Sequence, residues 1–373
     1  HIGQNDEEGI QSAVSTAFTT AIVSGLILMC LGVAAAKPIL TIMGTPDDVL
    51  PLAATYLRIY FLGIPFFLIF NFGAAILRSM GDTKRPLYIL VIAGIINTLL
   101  NLFFVIALKM SVAGVAVATG IANMVSALLI IRLLCKEKAP FKLHLNKIGV
   151  VWSELRRMLI IGVPAGLQGM VFSFSNVLLQ TAINGYGSDA IAGSAAALNF
   201  EYYCYFVISA FNGAAISFIG QNYGAGNKER VRRIYWICLT LSVVCCGALN
   251  ELFVWQRHFF LSFFSNDPNV QTYGATRMGI VLAWQFIASS YEISASSLRG
   301  MGRSMLPTIL TVFGTCLLRI VWVYVVCPIW HTYDVIMLVY PVSWCITGIM
   351  VCTAFYLFAR KKLYIEAATG HKL

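Results

Sequence analysis

Hydrophobic positions along this chain come in long unbroken blocks, without the strict alternation of a half-buried strand or the narrow stripe of a surface helix. A helix rises about 1.5 Å per residue and the bilayer's hydrocarbon layer is about 30 Å thick, so a spanning helix needs about 20 mostly apolar residues. Ten segments meet that requirement: 14–36, 52–77, 87–108, 111–134, 156–183, 190–218, 234–255, 273–297, 305–328 and 335–359. Transmembrane barrel strands alternate apolar and polar residues over about 10 positions, and none of these blocks does so. The pattern predicts an all-α polytopic membrane protein with ten helices in this chain.

Composition agrees. The 373 residues are 59% hydrophobic and 11% charged, and the mean hydropathy is +0.79. A soluble domain is about 25% charged, so a soluble enzyme or an ordinary nucleic-acid binder is excluded, and the lipid bilayer is the first expected partner. The net charge of +10 carries topology. Of the 26 basic residues, 20 fall in one set of alternate connections: Arg78 to Arg85, Arg132 to Arg157, Lys228 to Arg233, Arg299 with Arg303, and Arg360 to Lys372. The other set holds Lys37, Lys109, Arg257 and Arg277, while Arg58 and Arg319 lie within spans. Positive-inside asymmetry places the first set in the cytoplasm. The expected location is a cell membrane, with the C-terminus cytoplasmic.

The long polar connection, CKEKAPFKLHLNKIGVVWSEL at 135–155, reads as a solvated cytoplasmic linker. It divides an N-terminal lobe at 1–134, with about four helices, from a C-terminal lobe at 156–373, with six helices and a short basic tail.

The two halves repeat. Ile2-Gly3-Gln4-Asn5 recurs as Ile219-Gly220-Gln221-Asn222, an offset of 217. Leu77-Arg78-Ser79-Met80-Gly81, followed by Pro86, recurs as Leu298-Arg299-Gly300-Met301-Gly302 with Pro307, an offset of 221. Related halves are a common transporter plan with the substrate path between them. Two spans at 151–218 precede the second IGQN, whereas the first begins at residue 2. The repeat therefore predicts two further helices ahead of His1, in a twelve-helix protein.

Ionisable side chains inside a span are costly and mark function by default. Glu201, Glu292 and Arg319 qualify. Each carboxylate is a candidate proton carrier or cation site; the competing structural role is a buried pair with Arg319. Subtracting 221 from 292 gives Asn71, so Glu292 has a neutral counterpart in the first half. Gln168, Asn199, Asn97 and Asn101 are further intramembrane polar groups, with interhelical hydrogen bonding as the simple role. Pro65 and Pro164 fall within predicted helices, where a missing hydrogen bond permits a kink or hinge. Tyr202, Tyr203, Tyr205, Phe172, Phe174, Trp284 and Tyr291 are candidates to line a cavity for flat cations.

Other chemistry is not indicated. His1, His144, His258, His331 and His371 lie outside the span interiors, and the ten cysteines include no CxxC. There is no GxxxxGK[ST] and no GxSxG. Neither an enzyme, a resident metal nor an organic cofactor is expected, and energy would come from an ion gradient, a substrate gradient or a separate subunit.

The run KIGVVWSELRRMLIIGVPAGLQGMVFSFSNVLLQTAIN, then IGQNYGAGN and LRGMGRSMLPTI, resembles bacterial MATE (multidrug and toxic compound extrusion) transporters. IGQNDEEGI, LRSMGDTKRPLYI and INTLLNLFFV in the first half resemble them too. The resemblance covers essentially the whole chain and maps it to helices three to twelve. It implies two six-helix lobes, alternating access, and export of organic cations, drugs or toxic metabolites in exchange for H⁺ or Na⁺. It also implies that the acids of helices eight and ten are Glu201 and Glu292. A small amphipathic cation is the expected substrate and a monomer the expected state, with no nucleic-acid partner. The alternatives are a flippase for lipid-linked precursors, whose cavity would be rich in Arg and Lys, and a polytopic membrane enzyme.

Overall fold

A computed structural model describes residues 1–369, with side chains to residue 359. The expectation for a cytoplasmic C-terminal tail ending past Lys372 thus lies partly outside the described residues. The elements are helices throughout: α1 (Glu7–Ile42), α2 (Leu50–Leu62), α3 (Ile64–Ser79), α4 (Lys84–Leu102), α5 (Ser111–Lys136), α6 (Trp152–Asn184), α7 (Ser188–Gly224), α8 (Lys228–Trp255), α9 (Arg257–Ser262), α10 (Pro268–Ile280), α11 (Ala288–Gly300), α12 (Met305–Thr311), α13 (Leu318–Val321) and α14 (Tyr333–Thr369). The chain divides into two compact units, His1–Arg156 and Arg157–Leu373.

Among the described residues, eight helices are long and apolar enough to span a bilayer, and the bent pair α2–α3 makes a ninth. The predicted span at 273–297 is a correction. It runs as α10, a 3-10 segment at Leu282–Ile287, and α11, and no piece passes as a continuous apolar helix. Its polar content is accommodated within the unit: Ser289, Ser294, Ser296 and Ser297 are buried. Ser242 donates to Ser289 at 2.9 Å, and Ser294 bonds the Tyr235 hydroxyl at 3.0 Å. A helix surrounded by protein need not be as apolar as one facing lipid.

The corresponding span of the first unit is interrupted at the equivalent place. α2 and α3 meet at Gly63 with a 41° bend. Pro65 stands in the first turn of α3, so it is not the interior helix proline that the sequence suggested. There its missing N–H costs no helical bond. Gly25 of α1 packs on it; a Cβ there would lie 2.7 Å from the Pro65 Cα. Pro164 does lie inside a helix, the unbroken α6.

The repeat is visible atom by atom in the turns. After α3, the Gly81 N–H donates to Arg78 O and the Asp82 N–H to Leu77 O. After α11, Gly302 and Arg303 donate to Arg299 O and Leu298 O in the same way. These are Schellman caps, which need a left-handed residue; Gly81 has φ +89° and Gly302 φ +78°. Asp6 caps α1 by accepting from the Gly9 N–H, and Asn227 caps α8 by accepting from the Arg230 N–H, again 221 apart. The second half therefore carries four more residues between its IGQN and the next cap, which accounts for the change of offset from 217 to 221.

The 135–155 segment is largely exposed but not free. The Ser15 hydroxyl donates to Lys147 O and accepts from the Gly149 N–H, and Thr16 Oγ1 accepts from the Val151 N–H. Arg85 pairs with Asp82 and Glu137. In the second unit, α7 packs on α10 and α11 through glycines. A Cβ on Gly193 would meet Val270 O at 2.4 Å, and one on Gly300 would meet Ile216 O at 3.0 Å. Small residues let backbones approach where no solvent drives association.

Candidate functional site

The charged interior of the second unit is built along α7. Glu201 and Asn212 sit eleven positions apart on this helix, about 16 Å along its axis, and each meets a charged or polar residue of the broken α10–α11 span. Glu201, 7% exposed, is gripped by Arg277, 3% exposed. Nε donates to Oε1 at 2.6 Å and Nη2 donates to Oε2 at 3.0 Å. Gln285, in the 3-10 break, donates to the Glu201 carbonyl at 2.9 Å. The break between α10 and α11 thus places a side-chain amide against α7 where a straight helix would present a different face.

Arg277 departs from its place in the sequence pattern. The distribution of basic residues puts it with the outer connections, yet it is buried and forms the ion pair expected of Arg319. Its location inside the 273–297 block was the available signal. Arg319, 1% exposed, has no carboxylate partner among the described residues. Its Nη1 donates to Asn176 Oδ1 at 2.9 Å. Its guanidinium lies over the rings of Phe172 at 5.0 Å and Tyr340 at 4.6 Å, and Arg277 lies over the same Tyr340 ring at 5.4 Å. Phe172, a candidate cavity wall for cations, is therefore engaged by an arginine of the protein itself.

Glu292 is held more lightly. It is partly buried, and the Asn212 amide donates to its Oε2 at 3.0 Å. Two turns on, Arg299 donates from Nη2 to Gln168 Oε1 at 2.5 Å, and Thr308 donates to the same oxygen at 3.3 Å. Gln168 therefore does link helices. Asn199 and Asn71 do not: each donates to its own helix, to Ala195 O and Phe67 O. Asn97 reaches Thr119 across α4 and α5, and Asn101 reaches Asn97. Tyr202, Tyr203, Tyr205, Phe174 and Trp284 are exposed, and Tyr291 is buried.

The two glutamates thus stand in different chemical conditions. The Glu201 carboxylate has both oxygens fixed by a permanent cation, which favours a structural charge pair. Glu292 has one neutral hydrogen-bond donor, keeps part of its surface accessible, and feels the charge of Arg299 without a hydrogen bond to it.

Comparison with known proteins identifies the family. The chain is 27% identical to the probable multidrug resistance protein YoeA of Bacillus subtilis, over 83% of this chain and 69% of that protein. It is 32% identical to the probable multidrug resistance protein YpnP of the same organism, over 61% of this chain and 51% of that one. A MATE crystal structure in complex with MaL6 superposes with a TM-score of 0.88 at 19% identity, covering 98% of this chain and 82% of that one; this likeness concerns the fold. A family model described as MatE matches residues 1–103 and 164–325, which include Glu201, Arg277, Glu292 and Arg319. The chain belongs to the MATE family of transporters.

Proposed function

We propose that this protein is a secondary antiporter that exports drugs or toxic metabolites, with Glu292 as the group that takes up the coupling ion. The reading is supported by membership of the MATE family and by relatives named as multidrug resistance proteins. The observation that carries the residue assignment is the contrast between Glu292, with a single neutral donor from Asn212, and Glu201, gripped at both oxygens by Arg277.

The mechanism follows from the charge states. Ionised Glu292 attracts a cationic group of the substrate. H⁺ or Na⁺ at the same carboxylate removes that attraction and releases the substrate, so the two ligands compete for one charge. Asn212 holds the carboxylate in place and contributes no charge of its own. Glu201–Arg277 stays paired through the cycle and fixes α7 against α10. No cofactor takes part, and the coupling ion is H⁺ or Na⁺. The protein acts in a bacterial cell membrane, with the 135–155 segment and the C-terminus cytoplasmic, and as a monomer. Pro65 beside the Gly63 bend and Pro164 in α6 are hinge candidates for the transport cycle.

Efflux of a fluorescent cation from cells expressing the protein tests the assignment. Glu292→Gln abolishes the dependence of efflux on the ion gradient, and repeating the wild-type assay in Na⁺-free buffer identifies the ion. Retention of full gradient-dependent efflux by Glu292→Gln would falsify the role given to this residue.

A further inference from the structure

We infer that Arg299 is a built-in competitor for the Glu292 carboxylate: a positioning residue that rests on Gln168 and leaves it to pair with Glu292, so that every cation binding there displaces an arginine of the protein. The inference deepens the export reading above and rests on it. Arg299 and Glu292 lie seven positions apart on α11, two turns and about 10 Å along the axis, on one face of the helix. Side chains on a helix lean toward its N-terminus, which carries the long Arg299 side chain toward Glu292. Each group feels the other's charge, yet among the described residues no hydrogen bond or ion pair joins them.

Arg299 is held by one neutral acceptor and is otherwise unsatisfied. Nη2 donates to Gln168 Oε1 at 2.5 Å, while Nε is buried and has no hydrogen-bond partner among the described residues. A guanidinium stays charged at any physiological pH, and a buried charge without a counter-charge is strongly disfavoured. Of the two intramembrane carboxylates, Glu201 is committed to Arg277 through both oxygens. Asn212 occupies only Oε2 of Glu292, so Glu292 is the one open to a second arginine.

Gln168 is suited to be the resting place. Its Oε1 also accepts from the Thr308 hydroxyl at 3.3 Å, so the oxygen keeps a donor when Arg299 departs and no buried acceptor is left unsatisfied. Two arrangements follow. On Gln168, as in this structure, Arg299 leaves Glu292 to a substrate cation or to the coupling ion. Paired with Glu292, it neutralises the carboxylate in their place. A bound cation shifts the balance toward the first arrangement, and its apparent affinity is lowered by the share of time that Arg299 occupies the carboxylate.

The test is binding of rhodamine 6G, a fluorescent monocation, to the purified full-length protein in lipid nanodiscs, followed by anisotropy against empty nanodiscs. Arg299→Gln is expected to bind the dye about threefold to tenfold more tightly than the wild type, and to give no such gain when Glu292→Gln is also present. Removing a positive charge favours a cation even at a distance, so Gln168→Leu, which leaves every charge in place, is the sharper variant. Loss of the resting place sends Arg299 to Glu292, and the dye is expected to bind at least about threefold more weakly. That weakening disappears in the Gln168→Leu/Arg299→Gln double variant. Arg299→Lys, which keeps the charge, restores part of the competition lost in Arg299→Gln. Gln168→Met takes the place of Gln168→Leu if a thermal melt shows the latter unfolded. A purely structural tie between α6 and α11 would lower the melting temperature of both single variants without moving their affinities in opposite directions. Unchanged affinity in Arg299→Gln, the same gain in the Glu292→Gln background, or wild-type affinity in Gln168→Leu overturns the inference and leaves Glu292 as the coupling group. Failure of the dye to bind the wild type, or wild-type affinity in Glu292→Gln alone, removes the reading on which the inference rests.

Discussion

Two glutamates in one helical bundle, identical in chemistry, are separated by the company each keeps. Both were visible in the sequence as intramembrane acids, and so was Arg319. Their partners were not, because an ion pair across helices depends on helix rotation and on a break in α10–α11 that composition does not encode. Arg277 illustrates the difficulty: four residues into an apolar block, it reads as an interfacial arginine, yet the bundle folds it inward onto Glu201. The bidentate pair predicts a stability effect. Removing one partner of a buried pair costs about 3–5 kcal/mol, because the other charge is left uncompensated. Glu201→Gln and Arg277→Gln are each expected to lower the melting temperature sharply in detergent, and the double variant to lose less than the sum of the two. Additive losses would mean that the two side chains do not act as a pair.

At the scale of elements, the sequence repeat proved more informative than hydropathy. Hydropathy located nine of the ten blocks as apolar spans and overestimated the continuity of the tenth, where buried serines and the Gln285 amide N–H find partners on neighbouring helices. The repeat located two turns whose backbone hydrogen bonds are the same, and the four-residue difference in offset traces to one loop. It did not reveal that the equivalent spans of both halves are interrupted, at Gly63 and at Leu282–Ile287. The glycines of α7 provide a test of packing. Gly193→Ala forces a methyl against Val270 O and is expected to destabilise by about 1–3 kcal/mol. Gly213→Ala, on the same helix with open space around it, is expected to gain about 0.5–1 kcal/mol; thermal melts of the pair decide. The two related turns also differ in charge, with Asp82 in one and Arg303 in the other. Burial pushes the Asp82 carboxyl up, but the hydrogen bonds and charge of Arg85 outweigh it and hold the carboxyl below its usual range. Its contribution is present above the unfolded carboxylate's pKa and is lost as pH falls through the lowered value. Asp82→Asn is therefore expected to flatten the acid limb of the stability profile, as read by melts across pH 3 to 6 (about the carboxylate range).

For the molecule as a whole, the excess of basic residues is a topology signal, and the exposed Trp152, Trp255 and Trp330 at span ends are suited to the two membrane interfaces. Reporter fusions test this directly: a fluorescent-protein fusion after Lys138 should be bright in cells, and a periplasmic phosphatase fused after Lys109 should be active. The reverse pattern would invert the bundle. A flippase for lipid-linked precursors would present a cavity rich in Arg and Lys. Among the described residues the buried arginines are Arg277 and Arg319, and Glu201 neutralises Arg277. The central claim is that substrate and coupling ion compete for Glu292. The most direct measurement is ion release on substrate addition to purified protein in nanodiscs, followed with a pH-sensitive dye in Na⁺-free buffer and with radiolabelled Na⁺. The account predicts release of H⁺ or Na⁺ from the wild type and none from Glu292→Gln; equal release from both, or substrate binding by the wild type without displacement of either ion, would contradict it.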